Sequence, residues 1–473
     1  MSRRWLADPR THLAAIAVAF AALAAAVQVH CADLLSSDGE AYLRIAGWYA
    51  AGDFRRAVFG HWSPLGSWLS VPLVAAGMVP RYAMRLWIGL WGGLGVFGVW
   101  RLGGRFGLGP WLRAAATACA ALMVAEFSAY HRVDLLLAAL LLLYLDAALD
   151  ERLLTSRWRP VAAGLLGGLA YLAKLYALPF FVVHFALMVL LRGWASAGQA
   201  RGRLRGMDRA WALGVAAFAV VAAPWVGVLS AKYGRLTFGT AAATSYALVG
   251  PGSGDARQRA IQGLRRPPED APNVWQDATP PPARKTESGG GGDAGEWLAL
   301  QAAVAWRNAG RIAGHLASAD ECRLALASVP LAVVAALLTR RRRPEAFRYL
   351  ALVVTVGVFC GGYALVQAAN PRYFWFVFLV LTVAAFHFVG RVPGVLARLW
   401  PRSGARTSRL LAVAVGALAV VSFAFHPIRA LGALLRQPPP GREHRLVARR
   451  LAEWEVEGPL ASLGERGWWD GLH

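Results

Sequence analysis

Charged residues are scarce in this chain of 473 residues. They make up 16 % of it, whereas hydrophobic residues make up 57 %, and an ordinary soluble protein has about 25 % charged residues. The apolar residues form separate runs of about 20, the length that crosses a bilayer as a helix. None shows the period-two alternation of a transmembrane barrel. The pattern excludes an ordinary soluble protein and predicts an all-α fold, a polytopic transmembrane helical bundle.

Acidic residues are the scarcer kind of charge. The 27 Asp and Glu residues stand against 50 Lys and Arg residues, which gives a formal net charge of +23. A basic protein can bind nucleic acid, but these arginines are concentrated in alternate loops between apolar runs, as the positive-inside rule expects. No recognition motif accompanies them, so we expect no nucleic-acid partner.

Cysteine is scarce as well. The chain has four cysteines and no CxxC pair, so the sequence does not indicate a zinc or thioredoxin-like site. Cys31 and Cys322 are both expected on the outer side of the membrane. A disulfide between them stays open, although free thiols are the favoured interpretation.

The apolar runs predict about eleven spans. The first, 11–30, follows three arginines and indicates an uncleaved anchor rather than a secretory signal, because about ten further spans follow. The N-terminus is then cytoplasmic and the next loop is outside. The other spans are expected at about 82–100, 111–127, 135–149, two within 161–191 broken near Lys174, then 211–229, 325–338, 349–366, 374–389 and 410–425.

These spans predict one transmembrane module, 1–425, followed by a short outer tail, 426–473. The first outer loop, 31–81, is expected to hold a helix after Asp38 that ends near Gly52. A second, apolar helix containing Pro72 should lie along or dip into the membrane surface. A second large outer loop, 230–323, should be flexible at 267–292, where prolines and a run of four glycines occur.

Two carboxylates, Asp38 and Glu40, lie two residues apart in the first outer loop. Acidic side chains are costly near hydrocarbon, so the pair needs either a solvated setting or a chemical role. One interpretation is that they cap and solubilise a short interfacial helix, and the other is a catalytic role. In an ideal helix, residues two apart point away from each other, so Glu40 need not share the role of Asp38.

Further polar residues lie at the ends of predicted spans. Asp134 opens a span, either as a helix cap or as a contact to acceptor or metal. Lys174, within apolar sequence, and Arg372, in a tight outer turn, are either interfacial anchors or ligands of a phosphate. His61 and His131 could add metal ligands, yet isolated histidines usually are not ligands. We therefore predict no metal site and leave a divalent cation open.

Four segments carry a family resemblance by their order, spacing and predicted side of the membrane. They are Asp38-Gly39-Glu40-Ala41-Tyr42 with Gly52 and Trp62-Ser63-Pro64-Leu65, then Val133-Asp134-Leu135-Leu136-Leu137-Ala138, then Gly168-Leu169-Ala170-Tyr171-Leu172-Ala173-Lys174, and Pro371-Arg372-Tyr373. Together they resemble the C-type glycosyltransferases, in particular the group of protein O-mannosyltransferases and aminoarabinose transferases. The resemblance extends over roughly residues 10–425.

The resemblance implies an inverting glycosyltransferase of the membrane. It would move a hexosyl or pentosyl group from a polyprenyl-phosphate-linked donor to a lipid, glycan or protein acceptor on the outer face, which is periplasmic if the host is a bacterium. A hydroxyl acceptor is a weak nucleophile and the departing phosphate is charged, so such a site needs a base and cations. The family implies Asp38 as that base, although many relatives have adjacent acidic residues where this chain has Asp-Gly-Glu. The residues expected to bind substrate are Glu40, Tyr42, His61, Asp134, Lys174, Arg372 and Tyr373.

Three alternatives remain open from the sequence. A transporter or flippase of lipid-linked sugars would also use intramembrane charges and broken helices. A non-catalytic membrane protein of cell-envelope assembly could retain the same fold. A ligase of whole glycans usually needs a large outer loop, and 230–323 is long enough for one.

Overall fold

The computed structural model describes residues 8–34, 36–196, 200–243, 294–318, 325–366, 370–399, 405–441 and 450. Within these residues the chain is helical and contains no strand, which confirms the predicted all-α class. The loop predicted to be flexible at 267–292, Cys322 and residues 442–449 and 451–473 of the predicted tail lie outside the described residues. Cys31 has a free thiol.

The first predicted outer loop folds into short helices after α1 (Pro9–His30). They are α2 (Ser37–Ala50), α3 (Phe54–Ala57) and α4 (Leu65–Ala75). α2 ends where the sequence predicts, and Gly52 follows it with a φ of 75°, a left-handed conformation that glycine adopts without a steric penalty. α4 contains Pro72 and has 11 residues, too few to span a bilayer. Both predicted helices of this loop are confirmed.

The long apolar runs form helices at the predicted positions. The helices that follow α4 are, in chain order, α5 (Pro80–Arg105), α6 (Pro110–Phe127), α7 (Asp134–Ala148), α8 (Trp158–Ala173), α9 (Ala177–Ala195), α10 (Ala200–Tyr233), α11 (Ala294–Ser318), α12 (Ser328–Leu338), α13 (Arg343–Val366), α14 (Trp375–Leu399) and α15 (Ala405–Arg436). All of them except α11 correspond to predicted spans. A one-turn 3₁₀ helix, Pro371–Phe374, leads into α14. The last helix continues eleven residues past the predicted end of its span at 425, through an apolar stretch that includes Ile428 and Leu431.

Helix α11 lies within the outer loop predicted at 230–323 and was not expected. It is amphipathic and packs against α13 and the 3₁₀ helix. The Gln301 side chain donates to Leu365 O at 2.8 Å, and the Asn308 side chain donates to Ala364 O at 3.0 Å. These side chains therefore satisfy carbonyls at the carboxyl end of α13.

Seven described helices are long and apolar enough to cross a membrane, namely Pro9–His30, Pro80–Arg105, Ala177–Ala195, Leu204–Tyr233, Arg343–Val366, Pro371–Val395 and Val413–Arg436. The other predicted spans correspond to α6, α7, α8 and α12, and α12 has only 11 residues. Long helices expose large apolar side chains, such as Val18, Val220 and Val413. A bundle with this exterior is suited to lipid, and the chain is an integral membrane protein.

Helix α7 lies at the centre of the bundle. All of its residues except Leu143 are buried, and it packs against α5, α8 and α14. Helix α8 in turn lies against α10, where a Cβ at Gly164 would come 2.1 Å from Gly214 O. Such close contact between helices requires small residues. The start of α7 and the end of α8, which carry Asp134 and Lys174, are therefore held together at one end of the bundle.

Candidate active site

Helix α2 begins directly beside the turn that precedes α7. The Ser36 hydroxyl caps this helix by accepting a hydrogen bond from Gly39 N at 3.1 Å, and it donates one to His131 O at 3.1 Å. A Cβ at Gly39 would lie 2.5 Å from His131 Cβ, so the approach requires glycine. Ser36, and not Asp38, is the capping side chain. The Asp38 carboxylate is left for other contacts.

Arg85 connects the segment before α2 to the turn before α7, and sequence reasoning did not single it out. It lies on α5 and is 4 % exposed. Its guanidinium donates to Leu34 O at 2.8 Å, to Ala129 O at 2.7 Å and also to Cys31 O. Because the guanidinium is planar and carries five donors, one side chain fixes both segments.

His131 strengthens the same connection as a neutral ring. Its Nδ1 lies 2.8 Å from Leu34 O. Burial, together with the positive charge of Arg85, lowers the pKa of His131 to about 3. A neutral imidazole carries one N–H, and we assign it to Nδ1, which then donates to the carbonyl. The sequence offered His131 as a metal ligand, and this contact gives it a positioning role instead.

Four charged side chains from distant parts of the sequence meet at this end of the bundle, and we call them the Asp38 cluster: Asp38, Asp134, Lys174 and Arg372. Arg372 donates through a terminal nitrogen to Asp38 Oδ2 at 2.5 Å, and its Nε lies 3.8 Å from Asp134 Oδ2. Lys174 Nζ donates to Asp134 Oδ1. The cluster is thus a chain of ion pairs that runs from Asp38 through Arg372 and Asp134 to Lys174.

Local structure explains how each cation reaches the cluster. Lys174 follows α8 in an extended conformation, with φ −157° and ψ 127°, so the chain turns before α9 and the side chain enters the bundle. Asn370 caps the 3₁₀ helix by accepting from Arg372 N at 3.1 Å. The break predicted near Lys174 and the tight turn predicted at 370–373 are both present.

These contacts bear on the alternatives left open by the sequence. Asp134 makes no side-chain capping bond, although it begins α7. Its carboxylate is 5 % exposed and pairs with Lys174. Arg372, with a side chain 13 % exposed, pairs with two carboxylates. The capping interpretation of Asp134 is therefore wrong, and neither cation is a lone anchor at the membrane surface.

Aromatic rings border the cluster on the side of Lys174 and Arg372. Lys174 Nζ lies 4.4 Å from the centroid of the Tyr373 ring, a cation–π distance. Tyr373 stacks on Tyr363 with centroids 5.2 Å apart, and Tyr363 stacks on Tyr176 at 3.8 Å. Of these tyrosines, the sequence indicated only Tyr373. Tyr363 and Tyr176 lie in apolar runs, where aromatic residues give no signal of their own.

Tyr42 and His61 lie on the side of Asp38, and both pack edge-on against Trp62, with centroids 5.0 Å and 4.9 Å away. Burial raises the pKa of Tyr42 well above its usual value, and the negative charge of Asp38 adds to the rise. Burial lowers the pKa of His61 to about 4, against the opposing effect of Asp38. Both side chains are therefore neutral at pH 7 beside a charged Asp38.

Glu40 and Arg132 depart from the sequence expectations. Glu40 is exposed, and no contact joins it to the cluster among the described residues. Arg132 was not singled out, although it directly precedes Val133-Asp134. Burial lowers the pKa of Arg132, and its electrostatic neighbours include Arg372, Asp134 and Asp38. Its position beside Asp134 in the sequence was the available signal.

The site has an excess of positive charge and unused donors. Three cations, Arg132, Lys174 and Arg372, face two carboxylates. The Nε atoms of Arg132 and Arg372 are buried and make no hydrogen bond to a described residue. Because buried guanidinium donors need partners, the arrangement suits an added anion.

A divalent cation fits this arrangement poorly. Both carboxylates already accept from cationic side chains. No group of three or more His, Cys, Asp and Glu suited to a metal occurs in the described part of the chain. Hard cations such as Mg²⁺ and Mn²⁺ prefer several oxygen ligands that are free of competing positive charge.

No family model matches the chain, and no curated protein sequence matches it. Its fold does match a solved structure, that of ArnT from Cupriavidus metallidurans bound to undecaprenyl phosphate. The TM-score is 0.51 and the identity 18 %, over 94 % of this chain and 81 % of that one. This chain has the fold of that ArnT structure. The resemblance predicted from its four segments is confirmed at the level of fold.

Two other solved structures align less well. An oligosaccharyltransferase from Archaeoglobus fulgidus, in complex with Zn and sulfate, gives a TM-score of 0.49 at 14 % identity, over 86 % of this chain and 53 % of that one. ArnT from Cupriavidus metallidurans in the apo state gives 0.36 at 19 % identity, over 82 % and 80 %. Both scores are too low to establish a shared fold.

Proposed function

We propose that the protein is an inverting glycosyltransferase that moves a sugar from a polyprenyl-phosphate-linked donor to an acceptor hydroxyl. The observation that carries this proposal is the Asp38–Arg372 ion pair. It joins a carboxylate that is partly open to solvent, with a side chain 26 % exposed, to a nearly buried arginine whose Nε makes no hydrogen bond to a described residue. One group can take a proton and the other can hold a phosphate. The fold of ArnT, crystallised with undecaprenyl phosphate, supports this donor class.

The cations of the site would hold the donor phosphate. The Nε–H groups of Arg372 and Arg132 make no hydrogen bond to a described residue, although Arg372 Nε lies 3.8 Å from Asp134 Oδ2. A guanidinium fork matches the oxygens of a phosphate. As the bond from the sugar to the phosphate breaks, its electron pair passes to a phosphate oxygen, and one more negative charge develops there. Fixed positive charge in a site with little water stabilises that change.

Asp38 would act as the general base. The acceptor oxygen attacks the anomeric carbon from the face opposite the phosphate, so a new C–O bond forms as the old one breaks and the configuration inverts. The acceptor proton passes to Asp38, a transfer commonly worth about 10²–10⁴-fold in rate. Arg372 forms an ion pair with Asp38 before the donor binds, and a bound phosphate would compete for the same guanidinium.

Asp134 and Lys174 would position the site. Asp134 is buried between Lys174 and Arg372, and its charge holds both cations in place. Tyr373 lies against Lys174 and would limit where a sugar or lipid phosphate can enter. The exposed Glu40, predicted to bind substrate, has no part in this mechanism.

We place the reaction on the outer face of the membrane. Arginines are concentrated at the other end of the same helices, where Arg101 and Arg105 end α5 and Arg340, Arg341, Arg342 and Arg343 begin α13 or precede it. Positive charge marks the cytoplasmic side. This distribution supports an outer, periplasmic site if the membrane is a bacterial inner membrane.

The test compares a deletion strain that carries the wild-type chain, Asp38→Asn or Asp208→Asn at equal membrane levels. Asp208 is an exposed carboxylate of α10 at the opposite end of the bundle and serves as the control. Polyprenyl-phosphate sugars and envelope glycans are measured by mass spectrometry. We expect Asp38→Asn and the deletion to accumulate one lipid-linked sugar and to lose one sugar from a glycan, whereas Asp208→Asn behaves as wild type.

A restored glycan in the Asp38→Asn strain would show that Asp38 is not the base, and a transporter or an assembly protein would then be favoured. The purified Asp38→Asn protein separates those two. A transporter moves a fluorescent lipid-linked sugar across a reconstituted vesicle membrane, and an assembly protein does not.

A further inference from the structure

A second polar site lies at the end of the bundle opposite the Asp38 cluster. It is a cavity of about 360 Å³, within the usual range of roughly 300–1,000 Å³ for small-ligand pockets. Helices α7 and α9 both begin near the Asp38 cluster and end near this cavity. The length of these helices therefore separates the two sites. The polar side chains that line the cavity are Arg105, Glu151, Arg192, Ser196 and Arg348.

Arg192 is the buried cation of this cavity. It is 7 % exposed, its guanidinium lies 3.6 Å from the centroid of the Phe347 ring, and it donates to Leu149 O at 2.6 Å. Its Nε is buried and makes no hydrogen bond to a described residue, and no described carboxylate forms a salt bridge with it. Glu151 and Asp150 attract it only at longer range. A buried guanidinium without a paired carboxylate is costly, so this donor set is suited to an anion from outside the chain.

The carboxylates nearby are engaged by other arginines. Arg105 pairs with Asp146 at 2.6 Å and with Asp150 at 2.7 Å. These two carboxylates also pair with further arginines of the same end, Arg101, Arg152 and Arg159. Both are therefore occupied by other cations, and neither forms a salt bridge with Arg192.

Arg348 and Glu151 form the open side of the cavity. Their charged groups lie 3.9 Å apart, and the Glu151 side chain is 81 % exposed, so this pair is weak and solvated. The ion pairs and the cavity lining of this end include six arginines (Arg101, Arg105, Arg152, Arg159, Arg192 and Arg348) and three carboxylates (Asp146, Asp150 and Glu151), an excess of three positive charges among these side chains. A further run of arginines, Arg340 to Arg343, precedes or opens α13 beside the cavity.

We propose that this cavity binds a phosphoryl group between Arg192 and Arg348. Two guanidinium forks would face its oxygens, and the rings of Phe106 and Phe347 would lie beside it. Two sources have this chemistry, the headgroup of an anionic phospholipid or free phosphate. A basic pocket between helices, next to a run of arginines, is typical of a lipid headgroup site on the cytoplasmic side. No step of the proposed sugar transfer depends on it.

The experiment titrates the full-length chain, purified in a non-ionic detergent and stripped of lipid, and measures binding by native mass spectrometry. The probes are phosphatidylglycerol and diacylglycerol with the same acyl chains, so that they differ by the phosphorylated headgroup. We expect phosphatidylglycerol to bind and diacylglycerol not to bind. Arg192→Gln and Arg348→Gln should each weaken binding by about tenfold or more, since a hydrogen bond to a charged group contributes that much.

Arg157→Gln is the matched control, because Arg157 is exposed on the same end of the bundle and does not line the cavity. Its binding should equal that of wild type. Arg348 is 38 % exposed, so its replacement keeps the test valid even if Arg192→Gln fails to fold.

Competition with inorganic phosphate distinguishes the two sources. Displacement of the lipid by phosphate, with direct phosphate binding lost in Arg348→Gln, identifies a small-anion site. Lipid binding that phosphate does not displace, and that Arg348→Gln weakens, identifies a headgroup site. Equal binding of phosphatidylglycerol and diacylglycerol, or unchanged binding of lipid and phosphate in Arg348→Gln, would overturn the proposal.

Discussion

Gly39 and His131 are packed so closely that a side chain on Gly39 would collide with the turn before α7. A Cβ there would lie 2.5 Å from His131 Cβ and 2.9 Å from His131 O. Gly39→Ala should therefore push α2 away from the turn and move Asp38 relative to Arg372. Overpacking of this kind costs about 1–3 kcal/mol. We expect a lower thermal unfolding midpoint in detergent and a loss of sugar transfer.

The same helix supplies the control. Gly47 is also a glycine of α2, and nothing lies within 4 Å of a Cβ built there. Gly47→Ala should leave transfer intact and raise helix stability by about 0.5–1 kcal/mol. If both alanine variants behave alike, the close contact of Gly39 with His131 does not position α2 and Asp38.

Arg372 should affect binding of the donor as well as the position of the Asp38 carboxylate, with which it forms an ion pair. Arg372→Lys keeps the positive charge but loses the planar fork, and Arg372→Gln loses both. We expect transfer to fall in that order, by about 10²–10³-fold in kcat for the glutamine variant, with a higher KM for the polyprenyl-phosphate donor. Steady-state kinetics with a lipid-linked sugar would measure both parameters. The control is Arg235→Gln, which changes an exposed arginine after α10. If Arg372→Gln changed only the KM for the acceptor, Arg372 would not bind the donor phosphate.

Asp134 and Lys174 should show strong coupling in stability. Asp134→Asn leaves Lys174 and Arg372 without a buried carboxylate, and breaking a buried pair in this way costs about 3–5 kcal/mol. The double variant Asp134→Asn with Lys174→Met removes both charges and should recover much of that loss. Chemical unfolding of the purified proteins would give the coupling free energy. If the double variant regained activity together with stability, the Asp134–Lys174 pair would have only a structural role.

His131 should make the protein sensitive to acid. The folded chain keeps the ring neutral down to a pKa of about 3, whereas an unfolded histidine has a pKa of about 6.5. The stability from this site is fully present above about pH 6.5 and falls as the pH drops toward 3, by up to about 1.4 kcal/mol per pH unit. Unfolding midpoints measured between pH 8 and pH 4 would record the change. This range extends about one and a half units above and two and a half units below the pKa of an unfolded histidine.

The matched variant is His131→Asn, whose amide can donate to Leu34 O as Nδ1–H does. We expect the stability of this variant to fall less as the pH drops, because its unfolding takes up about one proton fewer. An identical pH profile in wild type and His131→Asn would mean that other groups, such as His61, account for the effect.

Much of the helical framework could be predicted from the sequence, since helix formation in lipid depends on local composition. Apolar runs long enough to span a bilayer must become helices, because the bilayer offers no hydrogen-bond partner for backbone N–H and C=O groups. The end of α2 at Gly52 and the break at Lys174 are also local properties. Helix α11 was missed because its apolar residues lie on one face and are diluted by polar ones, within a segment that is polar as a whole.

The residues of the site were mostly found by their charge, but their pairing was not. Lys174 and Arg372 stand out because charge is rare in apolar sequence, and Asp38 and Asp134 because they begin helices. Arg132 and Tyr363 carry no such signal, since arginines are common in the loops and tyrosines are common in apolar runs. Arg85 lies within the predicted span 82–100 and carries the same signal as Lys174, but it was missed.

The sequence by itself determined that this is a helical membrane protein, approximately where most of its helices lie, and which charged residues are unusual for their apolar surroundings. Only the tertiary structure decided that Arg372 binds Asp38, 334 residues away in the chain, that Lys174 binds Asp134, and that no described carboxylate forms a salt bridge with Arg192. The physical reason is that helix formation is settled by neighbours in sequence. The choice of a partner depends on which helices pack together, and that depends on contacts such as Gly39 with His131 and Gly164 with Gly214.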